Sequence, residues 1–117
     1  MVDFKIYQIG QNYPDDQFDE VLTKLPEADV IIFGTPTYWH EMSGYLKTLI
    51  ERIRQTNDSR LFNDTQDALL MQGAFPGDGV KETDAILKRF SSVVGMNYLG
   101  YANSSLNLGK LRKHLGL

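Results

Sequence analysis

Thr35-Pro-Thr-Tyr-Trp-His40 puts a proline and two adjacent aromatics into one short turn, and Ser43 follows just ahead of an amphipathic run. Proline fixes its own backbone angle and aromatic rings offer broad, stiff surface. Such a turn makes the wall of a ligand pocket rather than an acid or a base. In Gly73-Ala-Phe-Pro-Gly-Asp-Gly79, glycines 77 and 79 let backbone approach a bound group closely. Side-chain catalysis has little support. Glu41 and Glu51 are not spaced as an acid–base pair, and no Ser-His-Asp arrangement is suggested. The absence of cysteine excludes thiol catalysis, disulfides and iron–sulfur ligation. No metal site is read and no catalytic residue is assigned.

Each of these residues also has a plainer reading. Tyr38 and Trp39 could simply be core or interface aromatics, and His40 a solvated loop residue. His114 reads as a cation at a helix end. Lys47, Arg52 and Arg54 could meet a nucleotide phosphate, but a solvated helix face is the preferred account. Asp78 and Glu82 fit helix-start charges without chemistry.

The elements that must hold these turns follow from the hydrophobic pattern. Phe4 to Ile9 alternates as a half-open edge strand would. Gln11 to Asp16 is loop chemistry, with Asp16 able to cap a helix bearing Phe18, Val21, Leu22 and Leu25 that ends at Pro26. Val30 to Phe33 is continuously apolar and reads as a strand covered on both faces, the habit of parallel sheets. Ser43 caps a helix with Leu46, Leu49, Ile50 and Ile53 as its stripe. Gln55 to Asp67 carries no clear element. Ala68 to Met71 is a second short buried strand, and Val80 to Val94 a helix with Ile86, Phe90 and Val93 inward and Gly95 as its stop. Tyr98 to Ala102 makes a last strand, and Leu108, Leu111 and Leu115 a short helix with a basic end at Lys110, Arg112, Lys113 and His114. The order β-α-β-α-β-α-β-α defines a single doubly wound α/β domain over residues 1–117, with helices on both faces of about four parallel strands. Ligands in such folds sit outside the carboxyl ends of the strands, where both turns fall.

A net charge of −3, from 12 Lys and Arg against 15 Asp and Glu, argues against a general nucleic-acid or anionic-membrane binder. No apolar run reaches the length of a membrane span, and the N-terminus lacks a signal-peptide pattern. A cytoplasmic protein is expected.

Ala28 to Trp39, Met42-Ser-Gly44 and Lys47-Thr-Leu49 resemble the flavodoxin-like NAD(P)H-dependent FMN reductases and quinone oxidoreductases. Gly77-Asp-Gly79 with Glu82, and Gly95 to Ala102, match that family in order and spacing, so the likeness runs from about Asp16 to Ala102. It implies a flavodoxin-like, three-layer fold in which both loops wrap the isoalloxazine ring of FMN. The implied contacts are Thr35, Pro36, Thr37, Tyr38, Trp39, His40 and Ser43 on one side. Ala74, Phe75, Pro76, Gly77, Asp78 and Gly79 form the other. Backbone N–H groups of Tyr38, Trp39 and His40 would bond the pyrimidine edge of the ring. NAD(P)H would be the co-substrate, a small molecule such as a quinone the acceptor, and a dimer or tetramer of identical subunits the assembly.

The chain departs from the family in two places. Its first strand looks like the family's second, and no Ser/Thr/Gly loop opens an early helix to hold a phosphate. The family's histidine-bearing glycine loop is replaced by Phe75-Pro76 before Gly77. Either an upstream segment is missing or a paralogue has closed the gap. The expectations are weak FMN binding, riboflavin bound nearly as well, and Phe4 to Ile9 parallel and directly beside Val30 to Phe33. The competing reading is a non-catalytic truncated paralogue, a folded oligomeric or interaction module without flavin. A small electron-carrier flavodoxin is a third and weaker one.

Overall fold

The computed structural model describes residues 16–36, 42–56, 61–62, 65–72 and 79–116. Helix α1 (Phe18–Lys24) runs into a 3-10 turn (Leu25–Glu27) and strand β1 (Val30–Pro36). Helix α2 (Gly44–Arg54), strand β2 (Gln66–Gln72), helix α3 (Val80–Val94), strand β3 (Asn97–Ala102) and helix α4 (Ser105–Leu115) follow. The three strands are parallel in the order β1-β2-β3, with Val30 opposite Gln66 and Pro36 opposite Gln72. Phe4 to Ile9, expected beside β1, lies outside the described residues.

Alternation along the strands sorts the side chains into two cores. Ile31, Phe33, Leu69 and Met71 pack with Phe18 of α1, with Leu46, Ile50 and Ile53 of α2 and with Leu87, Phe90 and Val94 of α3. Ala68 and Ala102, with Leu70 and Leu99 beside them, pack against Leu111 and Leu115 of α4. The result is three layers: helices, sheet, helix. Among the described residues no helix is long and apolar enough to cross a membrane.

Local signals set the helix ends. Ser43 caps α2, its hydroxyl accepting the Leu46 N–H at 3.3 Å. Gly95 ends α3 in the left-handed region (φ 91°), and its N–H donates to the Ser91 carbonyl at 3.0 Å. The Asp16 carboxylate accepts the Phe18 N–H at 3.0 Å, and Pro26 lies in the 3-10 turn that finishes α1.

Several expectations need correction. Strand β1 is not buried on both faces: burial alternates along it, and Ile32 is 44% exposed. Among the described residues helix α4 packs over β2 and β3, and no helix covers β1 on that face of the sheet. Strand β2 begins at Gln66, two residues earlier than its apolar run, because Asp67 is carried inside the sheet. The carboxyl of Asp67 is fully buried and accepts the Ser91 hydroxyl at 2.5 Å, while its other oxygen has no hydrogen-bond partner among the described residues. Burial raises its pKa to about 6, against the lowering effect of the Ser91 hydrogen bond.

The segment read as featureless holds Phe62, 1% exposed, whose N–H donates to the Val94 carbonyl at 2.9 Å. On α3 the inward stripe is rotated: Leu87 and Val94 are fully buried, while Ile86 and Val93 are half-buried. Arg52 is neither solvated nor placed for a phosphate. It is buried, paired with the Asp16 carboxylate, and its guanidinium lies 4.2 Å from the centre of the Phe18 ring.

Candidate functional site

Pro36 and Gln72 are register partners, so the loops after β1 and β2 leave the sheet side by side at one level. Neighbouring strands lie about 4.8 Å apart. Each loop re-enters at a helix start, α2 after Ser43 and α3 after Gly79. Two helix N-termini, each with a positive partial charge, therefore meet the carboxyl edge of the sheet together.

Of the residues expected to line the site, Thr35, Pro36, Ser43 and Gly79 are described. Thr37, Tyr38, Trp39, His40, Ala74, Phe75, Pro76, Gly77 and Asp78 lie outside the described residues. Thr35 is 5% exposed and works inside the protein. Its hydroxyl accepts the Ser43 N–H at 2.7 Å and donates to the Pro36 carbonyl at 2.9 Å. One side chain thus ties both ends of the first loop, and Ser43 completes the clasp by capping α2. Gly79 holds φ 74° at the entry to α3, a left-handed conformation that glycine adopts without penalty, and its carbonyl accepts the Thr83 N–H at 3.0 Å.

Thr35→Val keeps the shape and removes the hydroxyl, leaving the Ser43 N–H buried without its acceptor. The expected cost is about 1–3 kcal/mol of stability. Urea unfolding of the variant beside Thr35→Ser, which retains the hydroxyl, checks this.

Sequence reasoning does not single out Tyr45. It is the second residue of α2 and is 85% exposed beside the first loop. Its only signal is an aromatic at a polar position on a helix face. At the far edge of the sheet, burial and the Asp84 carboxylate push the Tyr98 phenol well above its ordinary pKa. The phenol donates to Asp84 at 2.7 Å. This pair sits on β3 and α3 and takes no part in the loops.

Thr35 and Ser43, the described side chains that brace the first loop, have their hydrogen bonds satisfied within that brace.

A parallel α/β sheet with paired loops at its carboxyl edge places the chain among flavodoxin-like folds. The model of the NADPH-dependent FMN reductase family matches residues 3–109, and the chain belongs to that family. It is similar to YwqN, a candidate NAD(P)H-dependent FMN-containing oxidoreductase of Bacillus subtilis (strain 168), with 29% identity over 107 residues. That match takes in 85% of this chain and 59% of YwqN, so the chain spans less than two thirds of the relative's length. The Trp repressor binding protein of Bacillus subtilis superposes with a TM-score of 0.58 at 25% identity, over 74% of this chain and 60% of that one. RosB, solved with bound 8-demethyl-8-formylriboflavin-5'-phosphate, shares the fold with a TM-score of 0.65 at 17% identity, over 98% of this chain and 56% of its own.

Proposed function

We propose that the chain is an FMN-dependent NAD(P)H oxidoreductase subunit of the quinone or flavin reductase type, acting in the cytoplasm on a small acceptor. The observation that carries this reading is the register pairing of Pro36 with Gln72, which sets two family-matching loops side by side at the carboxyl edge. A bound flavin supplies the redox chemistry, taking two electrons from a nicotinamide and passing them on. The chain's own residues place and shield it. Pro36 and Thr35 stiffen the first wall, and Gly79 sets the entry angle of the second. The N-termini of α2 and α3 favour negative charge near the ring. Tyr45 offers exposed aromatic surface beside the loop for a flat acceptor.

The second reading is a folded oligomeric or interaction module without flavin. Absorbance of the purified protein at the flavin bands, followed by titration with FMN and with riboflavin, separates the two. We expect flavin binding, riboflavin close to FMN in affinity, and marked weakening in Pro36→Ala/Trp39→Ala with the far-UV circular dichroism unchanged. Absence of binding by either compound overturns the proposal. Unchanged affinity in the double variant removes these loops from the site.

A further inference from the structure

Strand β1 turns Ile32 and Gly34 to the side of the sheet that carries α4, because they stand in register with Ala68 and Leu70, which pack under that helix. Ile32 is 44% exposed there, and nothing lies within 4 Å of where a Cβ on Gly34 would stand. Leu108 continues the α4 stripe of Leu111 and Leu115 and is itself 41% exposed. A helix with its side chains is about 10 Å across, so α4 rises beside β1 as a step one helix high. The floor of that step, at Ile32 and Gly34, is apolar and shallow.

The wall of the step is cationic. Lys110, Arg112 and Lys113 are exposed and have no ion-pair partner among the described residues. No residue after Asp84 is acidic, so α4 carries nothing of its own to balance them. A helix C-terminus supplies about half a negative charge, less than these three cations. At about 3.6 residues per turn, Lys110 and Arg112 fall on opposite flanks of the leucine stripe, and one of them borders the step. We propose that this step is a docking site for an amphipathic helix of another protein. That helix is apolar where it meets Ile32 and Leu108 and acidic where it meets α4. Burial of the apolar floor drives the contact, and the charges set partner and orientation. It completes the second helical layer that a parallel sheet calls for. A flat anionic bilayer cannot reach a floor that lies beside a wall one helix high. The step faces away from α2 and α3, and its use does not depend on flavin.

The probe is a fluorescein-labelled peptide of about four helical turns, with leucine along one face and glutamate beside it. It is titrated with the full chain and read by fluorescence anisotropy at about 0.1 M salt. The peptide should bind, and the same peptide with lysine in place of glutamate should bind about tenfold more weakly or worse. Ile32→Glu sets a carboxylate in the floor, and Lys110→Glu/Arg112→Glu reverses the wall. Each should weaken the acidic peptide by about tenfold or more. The exchange of peptides is made on the unaltered chain, so its result does not depend on the folding of a variant. No binding of the acidic peptide, equal binding of the two peptides, or unchanged affinity in Ile32→Glu overturns the proposal. Two further results also overturn it. Retention of the chain on phosphatidylserine vesicles, lost in Ile32→Glu, gives the face to a membrane. A mass that halves in Ile32→Glu by light scattering gives it to a second copy.

Discussion

Arg52→Met is expected to lower the unfolding free energy by about 3–5 kcal/mol, because it strands the buried Asp16 carboxylate. Side chains of the pair are 6% and 2% exposed, so water cannot replace the lost guanidinium. The loss is not confined to charge. Arg52 also lies over the Phe18 ring, and Asp16 holds the Phe18 N–H at the start of α1. The guanidinium thus joins α1 to α2 alongside the apolar packing of Phe18. Arg52→Lys keeps the charge but loses the fork of donors and the guanidinium over the Phe18 ring, and should recover only part of the stability. Asp16→Asn/Arg52→Met removes both charges and should be more stable than Arg52→Met alone. Urea midpoints for these three variants measure the effect, and equal midpoints for Arg52→Met and the unaltered chain refute it.

The second large effect is one of pH. The Asp67 carboxyl has an ordinary pKa of 3.8 and is raised to about 6 in the folded chain by burial. A raised folded pKa means that the folded state binds the proton more tightly than the unfolded state. Its contribution to stability is therefore complete below about pH 3.8, declines as the pH rises, and is gone above about pH 6. The difference between the two pKa values corresponds to about 3 kcal/mol. Asp67→Asn keeps an acceptor for the Ser91 hydroxyl and has nothing to ionise. The variant should match the unaltered chain near pH 4 and exceed it by about that amount at pH 7. Unfolding midpoints of both proteins across that range decide the matter. A constant gap between them would mean that Asp67 does not titrate there.

What the sequence revealed, and what it hid, follows from the range of the interactions involved. The bounds of α3 were legible because Gly95 stops a helix by its own backbone freedom, and the start of α2 because Ser43 caps over three residues. Arg52 was misread because its partner lies 36 residues away, and nothing near it in the chain reports the ion pair. Asp67 was hidden in the same way, its hydroxyl partner being 24 residues distant on another element. Exposure of Ile32 depends on how far α4 reaches across the sheet, which no local pattern encodes. The position of both loops at the carboxyl edge was readable from strand order alone. Thr35 was expected among the lining residues, and the structure gives its hydroxyl the work of clasping the loop's two ends.

The strand order has a bearing on how the molecule breathes. Among the described strands β2 lies between two neighbours and β1 and β3 have one apiece, so the amides of Gln66 to Gln72 should exchange with solvent deuterium more slowly than those of the flanking strands. Of the two described strands that lead into the candidate site, β2 is therefore the one whose backbone should stay closed longest.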